Sequence, residues 1–343
     1  MLAHCGERGD DAISAPMSTV DQSIPILDLG PYLAGAPGAD ARLAAELRRA
    51  CEEIGFYFIT GHGVPQGLID AAFAETARFH AQPLADKMQL LINDHMIGYL
   101  PLGYSTFRSS TINRNTRHDL NEALFIRRER APDDPDVVSG KRWRGLNQWP
   151  AGLPGFRDTM LRYFRTMEGL ARRLLPLYAL ALDLPRDYFL PLFDGAHINL
   201  RLSHYPANEA AEDNQFGIAP HADAGFMTLL PQSAVPGLEI RTTAGDWFAA
   251  PSLPGSYLVN TGDTLNRWTN GRLLSTPHRA SNRSGRERYA MPFFYDPNTD
   301  TMIECLSTCQ GPGNPPKYEP QTYGEFYAWF IAKNYAHQQD AAE

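Results

Sequence analysis

The sequence predicts a mainly β fold, a sandwich or jelly roll, with helices flanking it. Three observations carry that expectation. Residues 197–296 break into short β-like runs punctuated by Gly, Pro, Asn and Asp, as double-sheet β architectures do. Residues 155–183 hold the clearest helical pattern, with Phe156, Met160, Phe164, Met167, Leu170 and Leu174 returning every three or four positions. A last amphipathic stretch, 322–336, carries Phe326, Trp329, Phe330 and Tyr335.

The elements follow in order. Met1 to Pro16 is polar and mixed in charge and lacks the apolar segment of a signal peptide, so residues 1–20 read as a disordered tail, with Met17 as an alternative start. Residues 24–29 (Ile-Pro-Ile-Leu-Asp-Leu) suit a short strand, and 40–54 a helix through Leu43, Leu47 and Ala50. Gly55-Phe56-Tyr57-Phe58-Ile59 is an aromatic strand ended by Gly61-His62-Gly63, and 65–80 is helical again. Pro176 should kink or split the long helix, because its ring lacks an N–H and crowds the preceding turn. Residues 21–196 are expected to form a helix-and-strand region packing on a core of 197–343, the whole making one compact catalytic unit.

Composition narrows the function. With 343 residues, 43% of them hydrophobic and 20% charged, the chain can bury a full core without disulfides. A net charge of -8 argues against nucleic acid or an anionic membrane as the main partner. No run approaches the ~20 apolar residues of a membrane helix. The cysteines, Cys5, Cys51, Cys305 and Cys309, are too few and scattered for a secreted scaffold, and Cys305-x3-Cys309 has no matching pair to complete a zinc site. Free thiols in a reducing cytoplasm are the expectation.

The chemistry concentrates in Pro220-His221-Ala222-Asp223, Thr276-Pro277-His278-Arg279 and Arg288, ten residues after His278. Two imidazoles and one carboxylate on one face of Fe(II) leave the opposite positions open. On a strand, residues i and i+2 point the same way, so His221 and Asp223 can reach one metal. The third ligand must come from another strand, and His278 is a candidate. His-x-Asp alone is weak evidence, since a buried His–carboxylate pair is also a common structural device. Its context is more telling: Asn260-Thr261-Gly262-Asp263, then Trp268-Thr269-Asn270-Gly271-Arg272, then Ser275-Thr276-Pro277-His278-Arg279.

In the order and spacing of these motifs, residues 201–296 resemble the core of the isopenicillin N synthase-like family of Fe(II)/2-oxoglutarate dioxygenases. Residues 24–29, 55–58 and 61–63 agree, so the resemblance spans about 24 to 335. It implies a distorted double-stranded β-helix (jelly-roll) core with His221, Asp223 and His278 holding iron. It also implies that Arg288 anchors the distal carboxylate of 2-oxoglutarate, with Tyr205 and Ser203 beside it. An arginine at the base of an apolar pocket suits that task, since guanidinium and carboxylate pair in a bidentate, charge-assisted way. The bland alternative is a surface arginine, because Arg283, Arg286 and Arg288 follow a turn-like segment.

Two departures from the family pattern stand out. Most relatives read Arg-x-Ser where this chain has Arg288-Tyr289-Ala290, a lost hydrogen bond to a charged group worth about 1.5–3 kcal/mol. Relatives often read Asn-x-Tyr-Pro where this chain has Ser203-His204-Tyr205-Pro206. Arg-x-Ala also occurs in bacterial ethylene-forming enzymes, which use 2-oxoglutarate, and Arg201 sits where those enzymes carry an arginine. It could compensate for Ala290 or bind an acidic substrate.

The implied activity couples oxidative decarboxylation of 2-oxoglutarate, with O2, to hydroxylation, desaturation or cyclisation of a small-molecule metabolite. By position, Arg201, Tyr104, Phe107, Arg108, Phe125, Phe294 and Tyr323 are candidates for the substrate pocket, although core packing explains each aromatic equally well. Asp119-Leu120-Asn121-Glu122 resembles a family segment that reads as structural. Two alternatives stay open: an iron oxidase of the isopenicillin N synthase type without 2-oxoglutarate, and a non-catalytic jelly-roll binding protein.

Overall fold

The computed structural model describes residues 24–113, 115–207 and 214–335. The expected tail at 1–20 lies outside the described residues. Thirteen strands build two facing sheets: β1 (Ile26–Asp28), β2 (Phe56–Thr60), β3 (Gly98–Leu100), β4 (Glu122–Arg127), β5 (His197–Tyr205), β6 (Ile218–His221), β7 (Met227–Pro231), β8 (Leu238–Arg241), β9 (Trp247–Ala249), β10 (Tyr257–Thr261), β11 (His278–Ala280), β12 (Arg288–Ala290) and β13 (Phe293–Asp296). The larger sheet runs β1-β2-β10-β7-β13-β5-β4-β3, with β12 also paired to β5, and the smaller runs β6-β11-β8-β9. Of these strands, only β1 and β2 pair in parallel. This is the jelly-roll core that the sequence predicts.

Eight helices accompany the sheets among the described residues: α1 (Gly30–Leu33), α2 (Ala39–Glu53), α3 (Gln66–His80), α4 (Leu84–Met88), α5 (Pro135–Val138), α6 (Phe156–Ala181), α7 (Asp263–Trp268) and α8 (Tyr323–Asn334). The periodic residues of α6 are its buried ones, including Met160, Phe164, Met167, Leu170 and Leu174. They cover the outer face of the larger sheet, where Phe164 meets Phe293 edge-on at 5.3 Å. Pro176 does not split this helix, which runs on to Ala181. Buried Leu174, Leu175, Leu177 and Tyr178 anchor the turns on both sides of it, so packing outweighs one missing N–H.

The N-terminal half does more than pack on a β core. Its strands extend the larger sheet at both ends, β1 and β2 beyond β10, and β4 and β3 beyond β5. Helix α8 begins on a capping box, the Thr322 hydroxyl accepting from Glu325 N–H and the Glu325 carboxylate from Thr322 N–H. No helix of the described residues is long and apolar enough to cross a membrane.

A candidate metal and co-substrate centre between the sheets

Strands β6 and β11 pair antiparallel with His221 directly opposite His278, and the two rings lie 4.4 Å apart. Asp223 is not on the strand as the i, i+2 reading expects. β6 ends at His221, and Asp223 sits in the loop just beyond. Hydrogen bonds aim it instead. Thr228 Oγ1 and Asn260 Nδ2 donate to its Oδ2 at 2.6 and 2.7 Å, leaving Oδ1 at 3.6 Å from both His221 Nε2 and His278 Nε2. The loop is held from below by Asp263 N–H, which donates to the Asp223 carbonyl at 2.7 Å. Gly262 permits that approach, since a Cβ there would lie 2.6 Å from the Asp223 carbonyl oxygen and 2.5 Å from that of Gly225.

Each imidazole is held in one tautomer. His221 Nδ1–H donates to the Ala219 carbonyl (2.8 Å) and His278 Nδ1–H to the Thr276 carbonyl (3.1 Å), so both Nε2 lone pairs face Asp223 Oδ1. Burial and the neighbouring His221 push the His278 imidazole down to about 4, which keeps that lone pair free at neutral pH. Burial opposes ionisation of Asp223, but His278, His221 and Thr228 together hold its carboxyl well below the usual range. One ligand atom from each of the three residues lies within 4.8 Å of the others. Two neutral imidazoles and a carboxylate are the donor set that ferrous iron takes with coordination positions left open. Aromatic rings wall this set: Phe107 stacks on His221 at 4.2 Å, and Phe56 meets His278 edge-on at 5.5 Å.

These side chains open into a cavity of ≈ 980 Å³, its mouth included, lined by both sheets and α8. At one end lie Tyr205, Leu230, Leu238, Ala280, Arg288 and Ala290. Arg288 is only 4% exposed, and its guanidinium lies over the Tyr205 ring at 4.6 Å. Its Nε and Nη1 have no partner among the described residues. A buried cation with donors unmet calls for an anion, which 2-oxoglutarate's far carboxylate would supply. Gly237, at φ +151°, leaves room for this arginine, because a Cβ there would sit 3.1 Å from Arg288 Nε.

The other expected residues divide. Arg201, Phe107, Phe125, Phe294 and Tyr323 line the cavity with Tyr205 and Arg288. Three do not. Ser203 is fully buried between Arg201 and Tyr205 on the same strand face, and its short side chain stops off the cavity wall without a hydrogen-bond partner among the described residues. Tyr104 is half-buried and packs against the hydrophobic core instead. Arg108 is exposed to solvent on its loop. Asp119-Leu120-Asn121-Glu122 behaves as a structural segment: Asp119 Oδ1 accepts from Ala219 N–H at 2.9 Å, beside His221, and Asn121 donates to Gly217 O.

Two family models match the chain. One described as the 2OG-Fe(II) oxygenase superfamily covers residues 197–297, and one described as non-haem dioxygenase in morphine synthesis N-terminal covers 24–152. The 2-oxoglutarate-Fe(II) type oxidoreductase hxnY of Emericella nidulans is 36% identical over 329 residues, 93% of each protein. The chain belongs to the 2OG-Fe(II) oxygenase superfamily. It is an oxidoreductase of the dioxygenase kind, with Fe(II), 2-oxoglutarate and O2 as its cofactor and co-substrates. Solved structures superpose on nearly all of it. A 2OG-Fe(II) oxygenase family protein of Caulobacter crescentus is 30% identical with a TM-score of 0.78, covering 90% of this chain and 98% of that one. A Neurospora crassa protein solved in complex with alpha-KG and 5-formyluracil is 25% identical with a TM-score of 0.77, covering 88% and 94%.

Sequence reasoning missed part of this oxygenase site. His197, Asn199, Asp296, Tyr327 and Phe330 also line the cavity. Asn199 and Arg201 share a face of β5 with Tyr205, so strand alternation from that tyrosine would have found Asn199. Asn260 opens the Asn260-Thr261-Gly262-Asp263 motif, but its bond to Asp223 crosses from β10 and could not be read from spacing.

Proposed function

We propose that this oxygenase hydroxylates a small, planar, carboxylate-bearing molecule, using His221, Asp223 and His278 for Fe(II) and Arg288 with Tyr205 for 2-oxoglutarate. The observation that carries the residue assignment is one cavity holding both the converged donor set and a buried guanidinium with unmet donors. When bound, iron, keto acid and O2 supply the oxidant for a C–H bond, with succinate and CO2 as co-products.

The chain's own residues do the rest. Tyr205 and Arg288 fix the keto acid's far end, while Leu230, Leu238 and Ala280 keep that end apolar. Phe107, Phe125 and Phe330 wall the opposite side, a shape that suits a flat ring and excludes water. Arg201, buried over the Phe125 ring at 5.3 Å, donates from Nη2 to Asn121 Oδ1 but forms no ion pair among the described residues, and its Nε is unmet. It is the group that would take the substrate's carboxylate. The 5-formyluracil bound in the Neurospora crassa protein is also a small planar ring, which supports the planar shape of the substrate but not its carboxylate. The thiols of Cys51, Cys305 and Cys309 are free, in keeping with a reducing cytoplasm.

Anaerobic titration tests the assignment. Fe(II) and 2-oxoglutarate together should produce a metal-to-ligand charge-transfer band, absent in His221→Ala, and once O2 is admitted a planar carboxylate substrate should stimulate succinate release from 2-oxoglutarate. Metal binding with no such band would refute the co-substrate roles.

A further inference from the structure

Behind the co-substrate end of the cavity lies a second cluster of titratable groups, on the opposite face of β5. His204 and Tyr205 are adjacent on that strand and so point to opposite faces, and β12 pairs with it as Arg288↔Tyr205 and Tyr289↔His204. His204 Nδ1 lies 2.7 Å from Glu122 Oε1, and its Nε2 is hydrogen-bonded to Glu287 Oε2. Both ring nitrogens therefore face carboxylates, an arrangement in which only the imidazolium donates to both.

The groups facing His204 come from every neighbouring element. They are Glu122 on β4, Glu287 before β12, Tyr289 on β12 (stacked at 5.0 Å) and His80 on α3, while Lys87 on α4 and Tyr99 on β3 bond the Glu122 carboxylate. Their geometry resembles a metal site, since His80, Glu122 and His204 offer converging ligand atoms. The chemistry does not. The Glu122 carboxylate already accepts from Lys87, Tyr99 and His204, and the Lys87 ammonium, 2.8 Å from Oε2, would repel a cation.

A mechanical role fits better. β12 is three residues long and follows a turn, so few ladder bonds fix where Arg288 stands. We propose that His204 and Glu287 form a clamp that positions Arg288 against Tyr205 for the co-substrate's far carboxylate. The clamp joins the residue before Tyr205 to the residue before Arg288. Asn282 Nδ2 separately ties the same turn to the Tyr205 and Arg286 carbonyls, so the fold does not depend on the clamp alone. Burial opposes charge on His204, but its bonds to Glu122 and Glu287 outweigh burial and raise it above the ordinary histidine value. The clamp is therefore closed below that raised value. It loosens as pH climbs through it, because the neutral imidazole can donate to only one of its two carboxylates.

This inference rests on the assignment of Arg288 and Tyr205 to 2-oxoglutarate, and the test separates the two. The measurement is anaerobic calorimetric titration of 2-oxoglutarate into the Fe(II)-loaded enzyme from about pH 6 to about pH 9, spanning the ordinary imidazole value of about 6.5. In the wild type, affinity should fall as pH rises. Glu287→Gln, whose parent side chain is 51% exposed and so safe for folding, should bind about three- to tenfold more weakly at the low end and lose the pH trend. His204→Gln should behave alike, Glu287→Asp should recover part of the loss, and the turnover defect should fall on KM for 2-oxoglutarate rather than kcat. Unchanged or tighter binding by both Gln variants, with Arg288→Gln losing binding, would overturn the clamp. Wild-type binding by Arg288→Gln would overturn the assignment beneath it.

Discussion

Asp223 divides its labour between two oxygens. Oδ2 is spent on Thr228 and Asn260, which turn Oδ1 towards the two imidazoles. Thr228→Val should therefore weaken ferrous iron binding by about 10- to 100-fold, the usual scale for losing a partner that orients a ligand, and anaerobic Fe(II) titration would measure it. Arg288→Gln removes a charged donor pair worth about 1.5–3 kcal/mol, so the 2-oxoglutarate requirement should rise about ten- to a hundredfold with iron affinity unchanged. Steady-state succinate release against co-substrate concentration reads that directly. Asp223 and Arg288 were legible in the sequence because donor chemistry and motif order are local properties, whereas the roles of Thr228 and Asn260 were not. Ser203 was misplaced for a physical reason: a shared strand face sets direction but not reach, and its side chain is shorter than those of Arg201 and Tyr205 on either side.

Among the elements, α8 links stability to the substrate end of the cavity. It contributes Tyr323, Tyr327 and Phe330 to the lining, and its first turn is secured by the Thr322–Glu325 capping box. Thr322→Ala should cost about 1 kcal/mol and lower Tm by about 1–3 °C in a protein of this size. Substrate KM should rise while 2-oxoglutarate KM holds, a split revealed by varying each in turn with the other saturating. The buried face of α6 was readable from its apolar spacing, but its passage through Pro176 was not. Propensity describes an isolated helix, whereas the packing of Leu175 and Leu177 belongs to the folded whole.

At the scale of the molecule, Glu122 ties β3, β4, β5, α3 and α4 together through Tyr99, His204, His80 and Lys87. Burial opposes its charge, yet His204, His80, Lys87 and Tyr99 hold the carboxyl well below its ordinary value of 4.5. A depressed carboxyl stabilises the fold fully above the unfolded value and progressively less as pH falls through the folded one. Urea unfolding should accordingly show stability declining once pH drops below about 4.5, with Glu122→Gln flattening that decline. The same variant should lose about 3 kcal/mol or more at neutral pH, because Lys87 is left as an uncompensated buried charge.

Alone, the sequence marked side chains whose chemistry suits a ferrous ion and a keto acid, since ligand type and motif order are written in short local segments. Only the tertiary structure decided how they meet. It placed His221 opposite His278, brought Thr228 and Asn260 from β7 and β10 onto Asp223, and set the His204 cluster behind Arg288. Apart from Thr228, these partners are distant in the chain, and strand register, which the local pattern does not specify, is what brings them together.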